Sequence, residues 1–330
     1  MVAWRQIQRQ NFTCWKKLTE FLQLDPAHFP DILKDSKFPL NLPLRLAQKI
    51  KKNSWNDPIM LQFLPINKEK ELTPGFNADP VGDLDAKQSS KLLKKYQGRA
   101  LLVCTSSCAM NCRFCFRQNY DYETQDKTFA EEIELIRQDP TLSEIILSGG
   151  DPLSLSNETL TSLIRKLDQI PHLERLRFHT RFPIGIPERI DEEFLSLLEQ
   201  IRLQVFFVIH SNHPSELDAQ VLSALKKIQK LGIPVLNQTV LLRGVNDNIT
   251  TLKALCEKLA ANGILPYYLH QLDRVQGAAH FEVSEEEGRA LIAELTELMS
   301  GYAVPKYVKE EAGEPSKTSL LEVDSLCNSS

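Results

Sequence analysis

From Arg99 onward, short apolar runs alternate with longer segments of helical period, and this alternation is what most constrains the fold. The runs cover residues 100–104, 144–147, 176–179, 205–209, 235–241 and 264–269. Between them, residues 129–138, 157–169, 187–200, 215–231 and 249–261 read as helices. A repeat of this kind builds a parallel sheet, because each parallel strand must be reached by a right-handed crossover. Six such units suit an open, partial (β/α)6 barrel. A doubly wound open sheet has the same periodicity. In either fold, ligands gather at the carboxyl ends of the strands. The candidate site residues are therefore the loop after the first run, Gly149-Gly150-Asp151, Thr180-Arg181, His210, Arg243 and His270. Ser215 with Asp218, and Ser284 with Glu287, have the spacing of helix capping boxes.

Up to about residue 95 the chain is helical and loop-rich, broken by eight prolines from Pro26 to Pro80. This divides it into a helical extension over 1–95, a barrel over 96–300 and a C-terminal segment over 301–330. The net charge of −4 leaves no basic footprint for nucleic acid. No apolar run is long enough to span a membrane, and the N-terminus has no signal-peptide pattern. The expected location is the cytoplasm, where thiols stay reduced. The seven cysteines are thus not a disulfide framework. Cys14, Cys256 and Cys327 are isolated and read as inert.

The other four cysteines lie within twelve residues. Cys108, Cys112 and Cys115 form a C-x3-C-x2-C pattern directly after the first predicted strand. Thiolates are the usual ligands of iron–sulfur clusters. Three of them can hold three irons of a 4Fe–4S cluster and leave the fourth iron open for chemistry. A structural zinc, closed by Cys104, and a set of buried free thiols are the plainer alternatives. Cys104 lies within the strand, where its side chain is expected to point elsewhere.

Around these cysteines the chain resembles the radical S-adenosylmethionine (SAM) superfamily, which carries this triad with an aromatic residue before the third cysteine, here Phe114. The resemblance extends to the lysine 2,3-aminomutase family through Cys112-Arg-Phe-Cys115-Phe-Arg117, Ser148-Gly-Gly-Asp-Pro-Leu153, His179-Thr-Arg-Phe-Pro183, residues 237–247 and residues 266–273. It covers roughly residues 90–320. Residues 275–281 and 313–318 are most similar to the short bacterial form, which makes (R)-β-lysine for modification of elongation factor P.

The resemblance implies three cofactors: a 4Fe–4S cluster, SAM and pyridoxal 5′-phosphate (PLP). The cluster's open iron binds SAM, whose reductive cleavage gives a radical that removes hydrogen from the substrate. By the same resemblance Cys108, Cys112 and Cys115 are the cluster ligands, and Lys317 is the catalytic lysine that binds PLP. On its residues alone Lys317 reads as a solvated tail lysine. Arg99 is implied as the PLP phosphate contact, with Lys95 or Tyr96 as helpers. Gly149, Gly150, His210 and Gln238 are implied at SAM, with Asp151 supporting that loop. Arg117 would hold the substrate carboxylate, for which a bidentate arginine is suited. Asp273 and Glu310 would hold the distal ammonium. His213 and His280 read as structural.

The implied reaction converts (S)-α-lysine to (R)-β-lysine. The implied partners are L-lysine, an electron donor of flavodoxin or ferredoxin type, and functionally elongation factor P with its lysyl ligase, without nucleic acid or membrane. The sequence departs from the family at three places. Glu310 stands where Asp is commoner. Asn248 stands where longer members have a zinc-ligating cysteine, so no structural zinc is expected. Glu314-Pro315-Ser316 replaces a glycine-rich loop. The same chemistry on arginine is the nearest rival; glutamate is disfavoured because two carboxylates would repel it. A non-catalytic iron–sulfur or zinc protein would need only the cysteines.

Overall fold

One nine-stranded sheet frames the computed structural model, which describes residues 3–25, 31–123 and 128–321. β1 (Leu92–Tyr96) runs antiparallel to β2 (Arg99–Val103). The turn between them uses Gly98 at φ +76°, a left-handed conformation that glycine adopts without strain. Seven parallel strands follow in chain order: β2, β3 (Glu144–Ser148), β4 (Arg175–Thr180), β5 (Gln204–Ile209), β6 (Val235–Val240), β7 (Leu265–His270) and β8 (Lys306–Lys309). β9 (Thr318–Ser319) returns antiparallel to β8. A doubly wound sheet reverses its strand order at a switch point. Here spatial order equals chain order throughout, and β1 does not pair with β9. The sheet is therefore the wall of an open, partial barrel.

All six apolar runs form strands. The crossover helices are Ala130–Gln138, Asn157–Asp168, Glu192–Glu199, Ala219–Lys230 and Ile249–Ala261. Two local expectations are corrected. The segment 187–200 is split: Pro187–Arg189 forms a 3-10 turn, and the helix starts only after Asp191, whose carboxylate accepts from Phe194 N. Ser215 forms no capping box, because it lies in the 3-10 turn Pro214–Glu216. Asp218 caps the next helix by itself, accepting from Gln220 N and Val221 N at 2.9 Å each. The Ser284–Glu287 capping box is present as expected.

The interior joins barrel and extension. Leu22, Leu42, Leu46 and Phe63 from the extension share one apolar cluster with Leu102, Leu147, Phe178 and Phe207 from the strands. All eight are 0 % exposed, and each side chain of this size contributes about 1.5–3 kcal/mol on burial. The extension thereby lies against the cysteine loop at the carboxyl end of β2. Cys104 is buried in this cluster, away from that loop, with its thiol toward Leu102 O. Cys256 is buried in a second cluster under β7 and β8, whereas Cys327 lies outside the described residues. Among the described residues, no helix is long and apolar enough to cross a membrane.

Candidate functional site

The cysteine loop leaves β2 and is held by the next strand's loop. Gly150 N donates to Thr105 O at 2.6 Å, and Asp151 N donates to Ser107 O at 2.8 Å. A Cβ on Gly150 would lie 2.4 Å from Ser107 O, and Gly149 has φ +117° with a Cβ position 3.0 Å from Cys104 N. Both glycines are thus required by backbone packed on backbone. Burial pushes the Cys108 and Cys112 thiols up and Cys115 to about 11, and Cys108 feels both of its partners. Among the described residues, no three His, Cys, Asp or Glu side chains converge on a single metal ion. A 4Fe–4S cluster asks for a different arrangement, one thiolate on each of three irons around a cage. Three half-buried thiols on one short loop fit that donor set.

Asp151 is saturated. Its carboxylate accepts from Leu153 N, Thr180 Oγ1, Arg181 N and Phe182 N at 2.8–3.0 Å. It pins the β3 loop to the β4 loop. Arg181 leaves that junction toward the cysteines. Its Nη1 donates to Cys112 Sγ at 2.8 Å, and its Nη2 donates to Gln62 Oε1 at 2.7 Å and Glu216 Oε2 at 3.0 Å.

A chain of alternating charges crosses the mouth of the barrel. Arg117 Nε donates to Asp83 Oδ2 at 2.7 Å, and its Nη1 donates to Ser148 Oγ at 3.2 Å. Asp83 Oδ1 pairs with Lys95 Nζ at 2.7 Å. Lys95 also reaches Glu310 Oε1 at 3.4 Å, and Glu310 pairs with Lys317. Burial opposes ionisation of Asp83 and Glu310. Arg117 and Lys95 nevertheless hold Asp83 below the usual carboxylate range, and Lys317 and Lys95 do so for Glu310. Asp273 faces the same groups with no direct ion pair among the described residues, and burial pushes it up to about 7. Arg99 lies over the Tyr96 ring at 4.5 Å, and among the described residues it makes no ion pair. A cation without a carboxylate partner is suited to a phosphate. Lys95, by contrast, is committed to two carboxylates and to Val81 O.

Inside the barrel stand His179 on β4, His210 directly after β5, Gln238 on β6 and His270 on β7. Gln238 Nε2 lies 2.6 Å from His210 Nε2, so the amide donates to a neutral ring. Burial pushes His210 down to about 3 and His179 and His270 well below their ordinary value. The Nε2 atoms of His179 and His270 are buried with no hydrogen-bond partner among the described residues. The charge of Lys317 contributes to the depression of both histidines, so this lysine comes back from the C-terminal segment to the lumen. Orphaned polar nitrogens beside a lysine and a free arginine fit a polar, phosphate-bearing cofactor.

Most sequence-nominated residues therefore meet. The cysteines, Gly149, Gly150, Asp151 and Arg181 share one junction, while Arg117, Glu310, Lys317 and Asp273 share a field of charge. Arg243 does not join them. Its Nη1 and Nη2 donate to Glu287 at 2.9 and 2.7 Å in an exposed pair. His213 accepts from Ser215 N through Nδ1 and is structural. Sequence reasoning missed Asp83, Gln62 and Glu216. Each is a lone polar residue in a loop or at a short helix end, and carries no spacing signal.

A model of the radical SAM superfamily matches residues 102–255. The chain is 41% identical over 323 residues to L-lysine 2,3-aminomutase of Haemophilus influenzae, covering 97% of this chain and 96% of that one. It is 43% identical over 286 residues to the Escherichia coli enzyme of the same name, with 86% and 83% covered. For the Buchnera aphidicola enzyme the identity is 39% over 299 residues, with 90% and 88% covered. Among solved structures, a radical SAM methyltransferase from Sphaerobacter thermophilus shares the fold at a TM-score of 0.50 and 20% identity, covering 66% of this chain and 68% of that one. Near-full-length identity of about two residues in five, together with the cysteine triad on an open barrel, means that the chain belongs to the lysine 2,3-aminomutase family of the radical SAM superfamily.

Proposed function

We propose that the chain converts (S)-α-lysine to (R)-β-lysine. The observation that carries the reading is the run of charges Arg117–Asp83–Lys95–Glu310–Lys317, with Asp273 beside it, next to the cysteine triad. When bound, the cluster and SAM supply a hydrogen-abstracting radical, and PLP supplies the π system across which nitrogen migrates. Cys108, Cys112 and Cys115 hold the cluster. The Gly149–Gly150 backbone, His210 and Gln238 contact SAM. Lys317 anchors PLP and Arg99 holds its phosphate.

Arg117, oriented by Asp83 and Ser148, receives the substrate carboxylate. Asp273 and Glu310 receive the distal ammonium. Glu310 pairs with Lys317. With PLP bound, Lys317 would hold the cofactor, and Glu310 would be the carboxylate available to the substrate cation. An approaching ammonium also favours ionised Asp273, so substrate charge completes the pocket. We read the extension over 1–95 as the source of Asp83, Lys95 and Gln62, and the segment 301–330 as the carrier of Glu310 and Lys317. The β-lysine product would serve elongation factor P and its ligase, with a flavodoxin or ferredoxin as reductant.

The test is anaerobic turnover of labelled L-lysine by reconstituted protein, with α- and β-lysine separated by chromatography. Wild type is expected to form β-lysine, and Cys112→Ala and Lys317→Ala none. SAM cleavage without β-lysine would refute lysine as substrate and point to arginine, which the same assay then tests.

A further inference from the structure

Arg181 is the cation nearest to a cluster cysteine, and nothing in the proposed reaction uses it. Its side chain is 8% exposed and lies between the rings of Phe63 and Phe114, with centroids at 5.2 and 5.4 Å. Nη1 donates to Cys112 Sγ at 2.8 Å, and Nη2 is fixed by Gln62 and Glu216. Nε is buried with no acceptor among the described residues. A guanidinium with one N–H on a ligand sulfur and a second left over beside it has donors to offer the inorganic sulfides of a cluster. The backbone N donates to Asp151, so the β4 loop that carries this side chain is tied to the loop that grips the cysteines.

The counter-charge is as well built. Glu216 is 0% exposed. One of its oxygens meets Arg181, and the other accepts from Gln62 Nε2 at 2.9 Å and Asn212 N at 3.3 Å. Taking both charges out of water can cancel their attraction, so a buried pair is weak evidence of a purely stabilising role. This one lies against a sulfur that must carry more negative charge after the cluster takes up an electron.

We infer that Arg181 is a positioning residue that raises the reduction potential of the cluster, with Glu216 partly offsetting its charge. The inference rests on the reading of Cys108, Cys112 and Cys115 as cluster ligands. Hydrogen bonds to cluster sulfurs and the local net charge are the protein's levers on that potential. A fixed cation in a dry pocket stabilises the reduced, more negative state, and an adjacent carboxylate opposes it. The two residues therefore act with opposite sign.

The test is an anaerobic redox titration of reconstituted full-length protein without SAM, following the EPR signal of the reduced cluster, on variants that match wild type in iron content. For Arg181→Gln the ratio of reduced to oxidised cluster at a fixed poise should fall about tenfold or more, equivalent to about 59 mV for one electron. Glu216→Gln keeps an acceptor for Arg181 and should move the ratio upward. A merely structural role would move both in the same direction or neither, and either outcome overturns the inference. If Arg181→Gln does not hold iron, Glu216→Gln decides, and an unchanged or lowered ratio sinks the idea. No cluster signal in wild-type protein would instead remove the cluster reading itself.

Discussion

Asp273 sits in a pocket with Lys317 and Glu310, and burial pushes it up to about 7 against an ordinary 3.8. The folded chain therefore keeps a proton there that the unfolded chain has released. Between about pH 4 and pH 7 this group makes stability fall as pH rises, and above pH 7 the full penalty remains. Asp273→Asn should accordingly melt higher than wild type near pH 8, and the gap should close toward pH 5; thermal unfolding of the ligand-free protein across that range checks it. Lysine binding should run the other way, tightening as pH rises through 7, because its ammonium favours the carboxylate. Asp83 acts differently. It is 1% exposed and orients Arg117 through Nε while neutralising Lys95. Asp83→Asn loses one charged hydrogen bond of about 1.5–3 kcal/mol, so the KM for lysine should rise roughly ten- to a hundredfold, measured in the β-lysine assay.

The β3 loop and the cysteine loop behave as one element, because each closes its backbone hydrogen bonds on the other. Gly150→Ala would place a methyl group 2.4 Å from Ser107 O and force the cysteine loop to move. The expected result is a folded protein with less than half of the wild-type iron after reconstitution, read by iron assay and visible absorbance. If iron content is unchanged, the loop has more freedom than its packing implies. Asn248 is a second case of local chemistry. Its side chain caps the helix Ile249–Ala261, accepting from Thr251 N at 2.9 Å. Asn248→Ala should cost about 1 kcal/mol of stability in denaturant unfolding.

Over the whole molecule, the residues before β1 clamp the cysteine loop. Arg113, between Cys112 and Cys115, is 1% exposed. It donates to Glu69 Oε1 at 2.9 Å, Phe38 O at 2.6 Å and Ser36 Oγ at 3.1 Å, all from the extension. Asn11 Nδ2 adds a bond to Ala109 O at 2.7 Å, and Gln8 Nε2 one to Cys108 O at 3.2 Å. Glu69→Ala leaves a buried arginine without its carboxylate, at a cost of about 3–5 kcal/mol. The expected outcome is a large loss of thermal stability together with faster iron loss, whereas Lys70→Ala, at an exposed neighbour, should change neither.

The alternation of apolar runs and helical segments determined six strands, their parallel sense and the end of the sheet at which a site forms, since period and crossover chirality are local properties. The spacing of Cys108, Cys112 and Cys115 marked the loop after β2 as the candidate cluster site for the same reason. Periodicity alone left barrel and doubly wound sheet open, because that choice lies in the spatial order of strands. β8, with two lysines in four residues, has no apolar run to announce it and forms by pairing with β7. Asp83, Gln62 and Glu216 became site residues only through packing of the extension and loops onto the barrel end. Lys317 reached the lumen because β9 folds back on β8. Contacts between residues far apart in the chain carry no spacing, so tertiary structure alone decided which charges would meet.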